Sequence, residues 1–426
     1  MKIAVVGGGI SGLGAAWLLR QKHEVTLFEA ADYMGGHTHT VDVVVDEVQC
    51  AVDTGFLVFN HRTYPNLTAL FDTLDVATVA SDMSLAVSLC NPDLEWAGSS
   101  LTTLFAQKRN LHRPGFWRML QDALRFNRTT QNANLPDITL GAYLTKEKYS
   151  DEFRHWYLLP MAAAIWSCPT QAVLEYPLTA FVRFCRNHGL LQIFDRPQWH
   201  TVEGGGRQYV DRMVAQLADV RLSAPVLAVQ READGVWLTL TGKLRERFDA
   251  VVLACHSDEA LGILGHQASI SEQRILGAVR YQPNRAVLHT DTRLLPRDEK
   301  IWSAWNYMSG EARADQQSVS VSYLINRLQP LPVSTPIIVS LNPHIEPDAE
   351  KVLGEYDYAH PLFDPAAIAA QGQLPTIQGV DRVWFCGAWG GYGFHEDGLT
   401  SALKVAAQLG CVAPWHTALH EMERSA

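Results

Sequence analysis

The chain opens on a short apolar run, Ile3-Ala4-Val5-Val6, which breaks into Gly7-Gly8-Gly9-Ile10-Ser11-Gly12-Leu13-Gly14 and continues as an Ala/Leu-rich stretch from Ala15 to Leu19. G-x-G-x-x-G placed directly after a strand and opening a helix admits few geometries. Gly7 makes a tight turn, Gly9 lets the main chain approach a pyrophosphate, and Gly12 lets helix and strand pack closely. The helix N-terminus then offers N–H groups and a positive dipole end to phosphate. A second strand, Val25-Thr26-Leu27-Phe28, ends in Glu29, near the offset expected of an acid that bonds a ribose diol. The spacing predicts a dinucleotide-binding βαβ unit. Five glycines in this stretch break the apolar run, so it is not read as a signal peptide.

At 426 residues the chain exceeds the roughly 250–300 that one core serves, which predicts two domains. No run of about 18 apolar residues offers a membrane span. A formal charge of −10 argues against nucleic-acid binding. Seven scattered cysteines without a C-x-x-C spacing suit reduced thiols in a cytoplasm. One segment runs against the overall charge. Between residues 101 and 131, Lys108, Arg109, Arg113, Arg118, Arg125 and Arg128 face a single acid, Asp122, and Phe116, Trp117, Leu120 and Leu124 fall on one helical face. A basic amphipathic helix with aromatics points to a membrane surface, against the alternative of a solvated helix on its own domain.

The strand and turn signals predict an α/β fold with two interleaved domains. A Rossmann-like nucleotide-binding domain takes residues 1–80, 200–285 and 380–426. An α+β domain with a mixed or antiparallel sheet takes 81–199 and 286–379. Strands are expected at Val41–Val45, Ser84–Leu89, Ala224–Val229, Val236–Leu240, Phe248–Ala254, Ala286–Thr290, residues 319–325, Ile337–Leu341 and Arg382–Gly387. Helices are expected at Leu67–Leu74, Phe153–Ala164, Leu178–Asn187, Tyr209–Leu217 and Leu399–Leu409.

These segments, in this order, resemble the FAD-dependent amine oxidase, protoporphyrinogen oxidase and phytoene desaturase superfamily over the whole chain. The carriers are Gly7/Gly9/Gly12 with Glu29; Gly35-Gly36 with Thr38 and Thr40; Asp53-Thr54-Gly55; Gly204-Gly205; the strand from Asp249 to Ala254; and Phe385-Cys386-Gly387 with Glu396-Asp397-Gly398. The runs from Tyr356 to Phe363 and from Tyr392 to Gly398 are similar to a bacterial subgroup associated with cyclopropane-fatty-acid-synthase-like genes and with desaturation of methylated or furan fatty acids. The resemblance implies a GR2-type FAD domain. It implies FAD contacts at Gly7, Gly9, Ile10, Ser11, Gly12, Glu29, Ala30, Gly35, Gly36, His37, Thr38, Thr54, Gly55, Phe56, Val226, Gly387, Ala388, Glu396, Asp397 and Gly398. Ala359 stands where some members carry the cysteine bonded to flavin, which implies non-covalent FAD. His360 and His395 stand where amine oxidases carry two tyrosines, and no lysine occurs between Lys243 and Lys300. The family's arginine after Gly-Gly is His37 here.

In this fold the flavin takes the hydride, and the protein binds, orients and tunes it. His360 and His395 are the expected catalytic residues, as a proton-transfer pair with ordinary pKa values near 6.5. The structural alternative for both is a buried histidine bonded to backbone. Glu396 and Asp397 are expected to cap the last helix or to bond the flavin ribityl chain. No metal is expected. The leading expectation is a desaturase or dehydrogenase of a long, fatty-acyl-like substrate, cytoplasmic or peripheral at the inner face of the membrane. A redox-neutral double-bond isomerase, an amine oxidase and a non-enzymatic binding protein of this fold are the alternatives.

Overall fold

The computed structural model describes residues 1–131, 134–192, 196–309 and 320–416, and the fold is stated for these. Strand β1 (Lys2–Val6) is central to a five-stranded sheet and is almost wholly apolar, because both faces of that sheet are covered. The order is Val383–Phe385, Ala250–Leu253, β1, β2 (Glu24–Phe28) and Asp219–Arg221, with every pair parallel. Helix α1 (Ile10–Leu19) is apolar all round and buried at every residue. Such a helix must be covered on all sides. The sheet lies against one side and the closing helix His395–Gln408 against the other.

The hairpin of β3 (Thr40–Val45) and β4 (Val48–Asp53) leads through a turn to helix α2 (Pro65–Thr73), whose proline stands at the first helical turn. The second sheet has seven strands, in the order Val352–Leu362, Arg280–His289, Ile338–Leu341, Ser320–Leu324, Trp305–Met308, Leu85–Leu89 and Leu94–Ala97. Its pairs are antiparallel, except that Trp305–Met308 runs parallel to Leu85–Leu89. Helices from 140–187 cover it with an aromatic cluster containing Phe153, Trp166, Tyr176, Phe181 and Phe184. Of the strand expected over 319–325, residue 319 lies outside the described residues.

Three boundaries differ from expectation. The limit at 285/286 falls inside one continuous strand, Arg280–His289, paired from Arg280↔Leu362 to His289↔Val352. Pro283 and Asn284 disguise its first half, since both are poor strand formers. The stretch expected to end the second domain instead packs on the first: Ala367, Ala370 and Ile377 share a core with Ala4, Val251 and Phe385. The closing helix begins at His395, one turn before Leu399.

The basic segment folds as a short helix, Leu101–Leu104, a 3₁₀ turn, Lys108–His112, and the helix Pro114–Thr129. The long helix buries Phe116, Met119, Ala123 and Phe126, and Phe126 packs on Tyr143, Tyr149 and Phe153. The expected apolar face is therefore split, with Phe116 inside and Trp117 and Leu124 outside, 44% and 50% exposed. Among the described residues no helix is long and apolar enough to cross a membrane.

A Cβ at residue 12 would stand 1.8 Å from the Gly7 carbonyl oxygen, whereas one at Gly262, inside the helix Ser257–Leu264, meets nothing within 4 Å. Gly12→Ala is expected to destabilise the protein by about 2–3 kcal/mol through overpacking. Gly262→Ala is expected to stabilise it by about 0.5–1 kcal/mol through helix propensity. Denaturant unfolding midpoints check both, and equal midpoints would contradict the close packing of the opening turn.

Candidate FAD-binding and active site

The opening turn is held by its own backbone. Gly7 sits at φ 110°, donates its N–H to the Phe28 carbonyl (2.8 Å) and lies so close to Ala254 that a Cβ would come 2.9 Å from the carbonyl oxygen there. Gly9 is the N-cap of α1, no side chain caps that helix, and its first turn carries no acid. Its N-terminal N–H groups and dipole remain available to an anion. Gly9 forms a parallel bridge with Gly35, and a Cβ on Gly36 would come 3.0 Å from the Gly9 Cα. Glu29 accepts from the N–H of Gly8 (2.6 Å) and of Ala31 (2.8 Å), which fixes its carboxylate at the edge of the turn beside exposed Ala30.

The second turn closes onto the first. Gly55 abuts the His37 carbonyl, which accepts the Phe56 N–H at 2.7 Å. Thr54 Oγ1 meets Tyr358 Oη at 2.7 Å and donates to the His39 carbonyl at 3.0 Å. The His395 ring stacks on Phe56, with centroids 3.8 Å apart, and its Nε2 meets Thr38 Oγ1 at 2.8 Å; the same hydroxyl bonds Tyr209 Oη. His360 Nδ1 accepts from Asn284 Nδ2 at 2.7 Å, and Asn284 is in turn held by Asn342. A neutral His360 therefore carries its proton on Nε2. The rings of Tyr358, His360 and His256 surround His37, at 5.1, 5.2 and 6.2 Å.

The closing helix meets α1 at their N-termini. A Cβ on Gly398 would come 2.8 Å from Ser11 Oγ and 2.9 Å from Ile10 Cγ2. Gly387 donates its N–H to Ser401 Oγ, and Ala388 lines the approach to the same turn. Val226 is buried at the start of the strand Val226–Glu232, after Ala224 has bonded the Glu29 carbonyl. Of the two acids expected to cap the last helix or to bond the ribityl chain, Asp397 caps that helix and Glu396 caps another. Glu396 accepts from the N–H of Asn66 (3.0 Å) and of Leu67 (2.9 Å), and so caps α2, not its own helix. Asp397 accepts the Phe394 N–H at 3.0 Å and caps the closing helix. A carboxylate finds these unpaired helix N–H groups at hand, and both acids are held by backbone.

The expected pair of histidines with ordinary pKa values is corrected. Burial pushes His395 down to about 3 and His360 to about 4, and it holds His37 well below the ordinary value. All three are neutral at pH 7. His188, behind Phe394, and His289 are pushed down to about 4 for the same reason. Asp53 and Asp397 move the other way, up to about 6, also by burial. Residues missed in the sequence are Tyr209, Asn284 and His256, because each reaches the site from a segment with no motif of its own. Asp53 was legible only as part of Asp53-Thr54-Gly55. Its carboxylate accepts from the Gly206 N–H (3.0 Å) and from Gln329 Nε2 (2.9 Å), so it ties both sheets together.

These shifts set an acid sensitivity. Between about pH 4 and 6.5 the unfolded chain protonates five histidines that the folded chain keeps neutral. Their contribution is present above the ordinary value and lost as pH falls. The two aspartates, raised in the fold, lose their contribution as pH rises from about 4 to 6. Five groups outweigh two, so stability is expected to climb from pH 5 to pH 7. Thermal unfolding across that range checks it, and a midpoint that falls with rising pH would contradict it.

Between Gly9 and the Gly35–Gly36 turn, a Cβ on Gly9 would meet no atom closer than 3.9 Å. That open cradle, an uncapped helix start and a second helix N-terminus beside it fit a dinucleotide diphosphate. The family model for flavin containing amine oxidoreductases matches residues 10–325. AofH of Mycobacterium tuberculosis, a curated protein described as a flavin-containing monoamine oxidase, is 26% identical over 256 residues. That alignment covers 56% of this chain and 53% of the relative, so the match spans about half the length of AofH. Among solved structures, one described as a protoporphyrinogen oxidase from an Exiguobacterium species superposes with a TM-score of 0.70 at 17% identity, covering 96% of this chain and 98% of the other. A putrescine oxidase bound to putrescine gives 0.65 at 16% identity, covering 96% and 99%. A conjugated-linoleic-acid-producing fatty acid isomerase from P. acnes gives 0.65 at 14%, covering 95% and 98%. These three share the fold. The chain belongs to the flavin containing amine oxidoreductase family.

Proposed function

We propose that the protein desaturates a long, apolar, fatty-acyl-like substrate. The observation that carries this reading is charge. Burial holds the rings of His37, His360, His395 and Tyr358 neutral, and the two nearby carboxylates are engaged by backbone N–H groups. Such a site offers an ammonium group only carboxylates already engaged by backbone N–H groups. Next to it, the ring of Phe184 lies 4.9 Å from Phe394, 5.7 Å from Tyr392 and 4.6 Å from Trp166, which builds an aromatic wall suited to hydrocarbon.

Bound FAD supplies the hydride acceptor, later reoxidised by O2 or another electron acceptor. The proton that leaves the neighbouring carbon needs a base already in its neutral form. His395 is one at any pH above about 3, and its ring is fixed by Phe56 on one face and Thr38 at Nε2. His360 presents a donor N–H at Nε2 and orients polar atoms of the substrate. Expressing the gene is expected to lower the mass of a cellular acyl group by two hydrogens. An unchanged mass with a moved double bond would favour the isomerase, and turnover of a soluble amine without acyl change would overturn the proposal. His395→Ala is expected to retain FAD and to slow anaerobic flavin reduction by about 10²-fold. Undiminished reduction would remove His395 from the chemistry.

The same reading places the protein at a lipid surface. Leu101 (76% exposed), Leu111 (45%), Trp117 and Leu124 project outward from the basic segment, between Lys108, Arg118, Arg125 and Arg128. Glu152 and Asp122 pair Arg118 and Arg125, so part of this charge is already neutralised, and the apolar residues have to carry much of the binding. Sedimentation with phosphatidylglycerol vesicles is expected to carry the protein down, and phosphatidylcholine vesicles to do so less. Replacing Trp117 and Leu124 with serine is expected to release it; wild-type protein left in the supernatant with both lipids would refute the contact.

A further inference from the structure

Asn284 is an expensive residue where it stands. It lies inside the strand Arg280–His289, where asparagine is disfavoured, and only 3% of it is exposed. A buried amide is tolerated when its donors and acceptor are matched. Asn284 Nδ2 donates to the Gln282 carbonyl at 3.2 Å and to His360 Nδ1 at 2.7 Å. Its Oδ1 accepts from Asn342 Nδ2 at 2.7 Å. Asn342 is fixed in turn by Arg285, whose N–H donates to Asn342 Oδ1 at 3.0 Å and whose carbonyl accepts the Asn342 N–H at 2.7 Å. A peptide N–H can only donate, and a peptide carbonyl can only accept. The backbones of Arg285 and Gln282 therefore demand one consistent orientation of both side-chain amides. At the end of this chain the lone pair of His360 Nδ1 is consumed.

Strand pairing explains why the chain ends at this ring. Gln282 stands opposite His360 and Asn284 opposite Tyr358, so the four share one face of the two strands. Tyr358 reaches Thr54 from that face, which turns it toward the opening turns. His395 is held in another way. Its Nε2 meets the Thr38 hydroxyl at 2.8 Å, and that hydroxyl meets Tyr209 Oη. Hydroxyls in series can donate in either direction, so this pair leaves the His395 ring free to change its proton. We infer that Asn284 and Asn342 are positioning residues that lock His360 as a hydrogen-bond donor at Nε2, dividing the two histidines into a fixed donor and a base. The inference rests on the desaturase reading, in which both rings act on the substrate. A second proton could enter His360 only at Nδ1, which Asn284 already covers. The substrate atom that meets Nε2 must then be an acceptor, as an acyl carbonyl oxygen is, and proton removal falls to His395.

Long-range proton–nitrogen correlation NMR of the full-length, flavin-bound protein with isotopically labelled histidine reads which ring nitrogens are protonated. The signals of His360 are those missing from His360→Gln. At pH 7 the wild-type protein is expected to show a bare Nδ1 and a protonated Nε2 at His360. A protonated Nδ1 would overturn the inference with no other variant needed. Asn284→Asp presents an acceptor in place of the donor and is expected to draw a proton onto Nδ1. Asn342→Gly suits the φ of 46° at that position, removes the side-chain amide, and is expected to yield both tautomers. Circular dichroism and the flavin spectrum show that each variant is folded and loaded. Unchanged His360 signals in folded Asn284→Asp would overturn the relay, and a single unchanged tautomer in Asn342→Gly would overturn the part assigned to Asn342. In anaerobic flavin reduction by the acyl substrate, Asn284→Asp is expected to raise the half-saturating concentration about tenfold, the worth of one hydrogen bond. An unchanged value would overturn the donor role. Wild-type protein that shows the expected tautomer and turns over no acyl chain would overturn the desaturase reading and keep the relay.

Discussion

The meeting of two helix starts through glycine is the contact on which the rest of the molecule depends. Gly12 touches the carbonyl of Gly7, and Gly398 rests on Ser11 and Ile10, so α1 and the closing helix point their N-termini at one place. A Cβ at residue 12 would collide with the Gly7 turn, and one at residue 398 would press on Ser11 and Ile10. The N–H groups at the head of α1 would then lose their common focus. Because α1 is buried at every residue, the closing helix is also what completes its burial, and the first and last parts of the described chain form one element of structure.

Around that contact, polar groups hold the remaining turns at small cost in charge. Asp53 binds the Gly206 N–H, Thr40 and Gln329, and so joins the β3–β4 hairpin, the returning nucleotide-domain segment and the second sheet. Glu396 and Asp397 each close the start of a helix. Buried backbone donors must be satisfied somewhere, and here the acids nearest the flavin position do that work. The result is a site whose centre is neutral while its frame is densely hydrogen-bonded. That neutrality is what supports the proposal of an apolar substrate.

The glycine turns, the parallel strands and the apolar helices were legible because each obeys a local rule: a positive φ, a close approach, or a period of two or 3.6. The strand Arg280–His289 was half hidden, since its pairing with Val352–Leu362 overrides the poor propensity of Pro283 and Asn284. The basic helix was found, but its inner face was misjudged. Phe116, Met119, Ala123 and Phe126 turn inward because Tyr143, Tyr149 and Phe153, from a later segment, wait for them.

The order of residues by itself determined the dinucleotide turn and the fold class, since these follow from spacing along one chain, while the family resemblance pointed to His360 and His395. Only the tertiary structure decided what those residues do to one another. Burial, which no spacing reveals, turned His360 and His395 from near-neutral-pKa groups into persistently neutral ones. Convergence of segments more than 200 residues apart placed His256 and His360 around His37. A pKa is a property of neighbours and solvent exclusion, and neighbours exist only once the chain has closed.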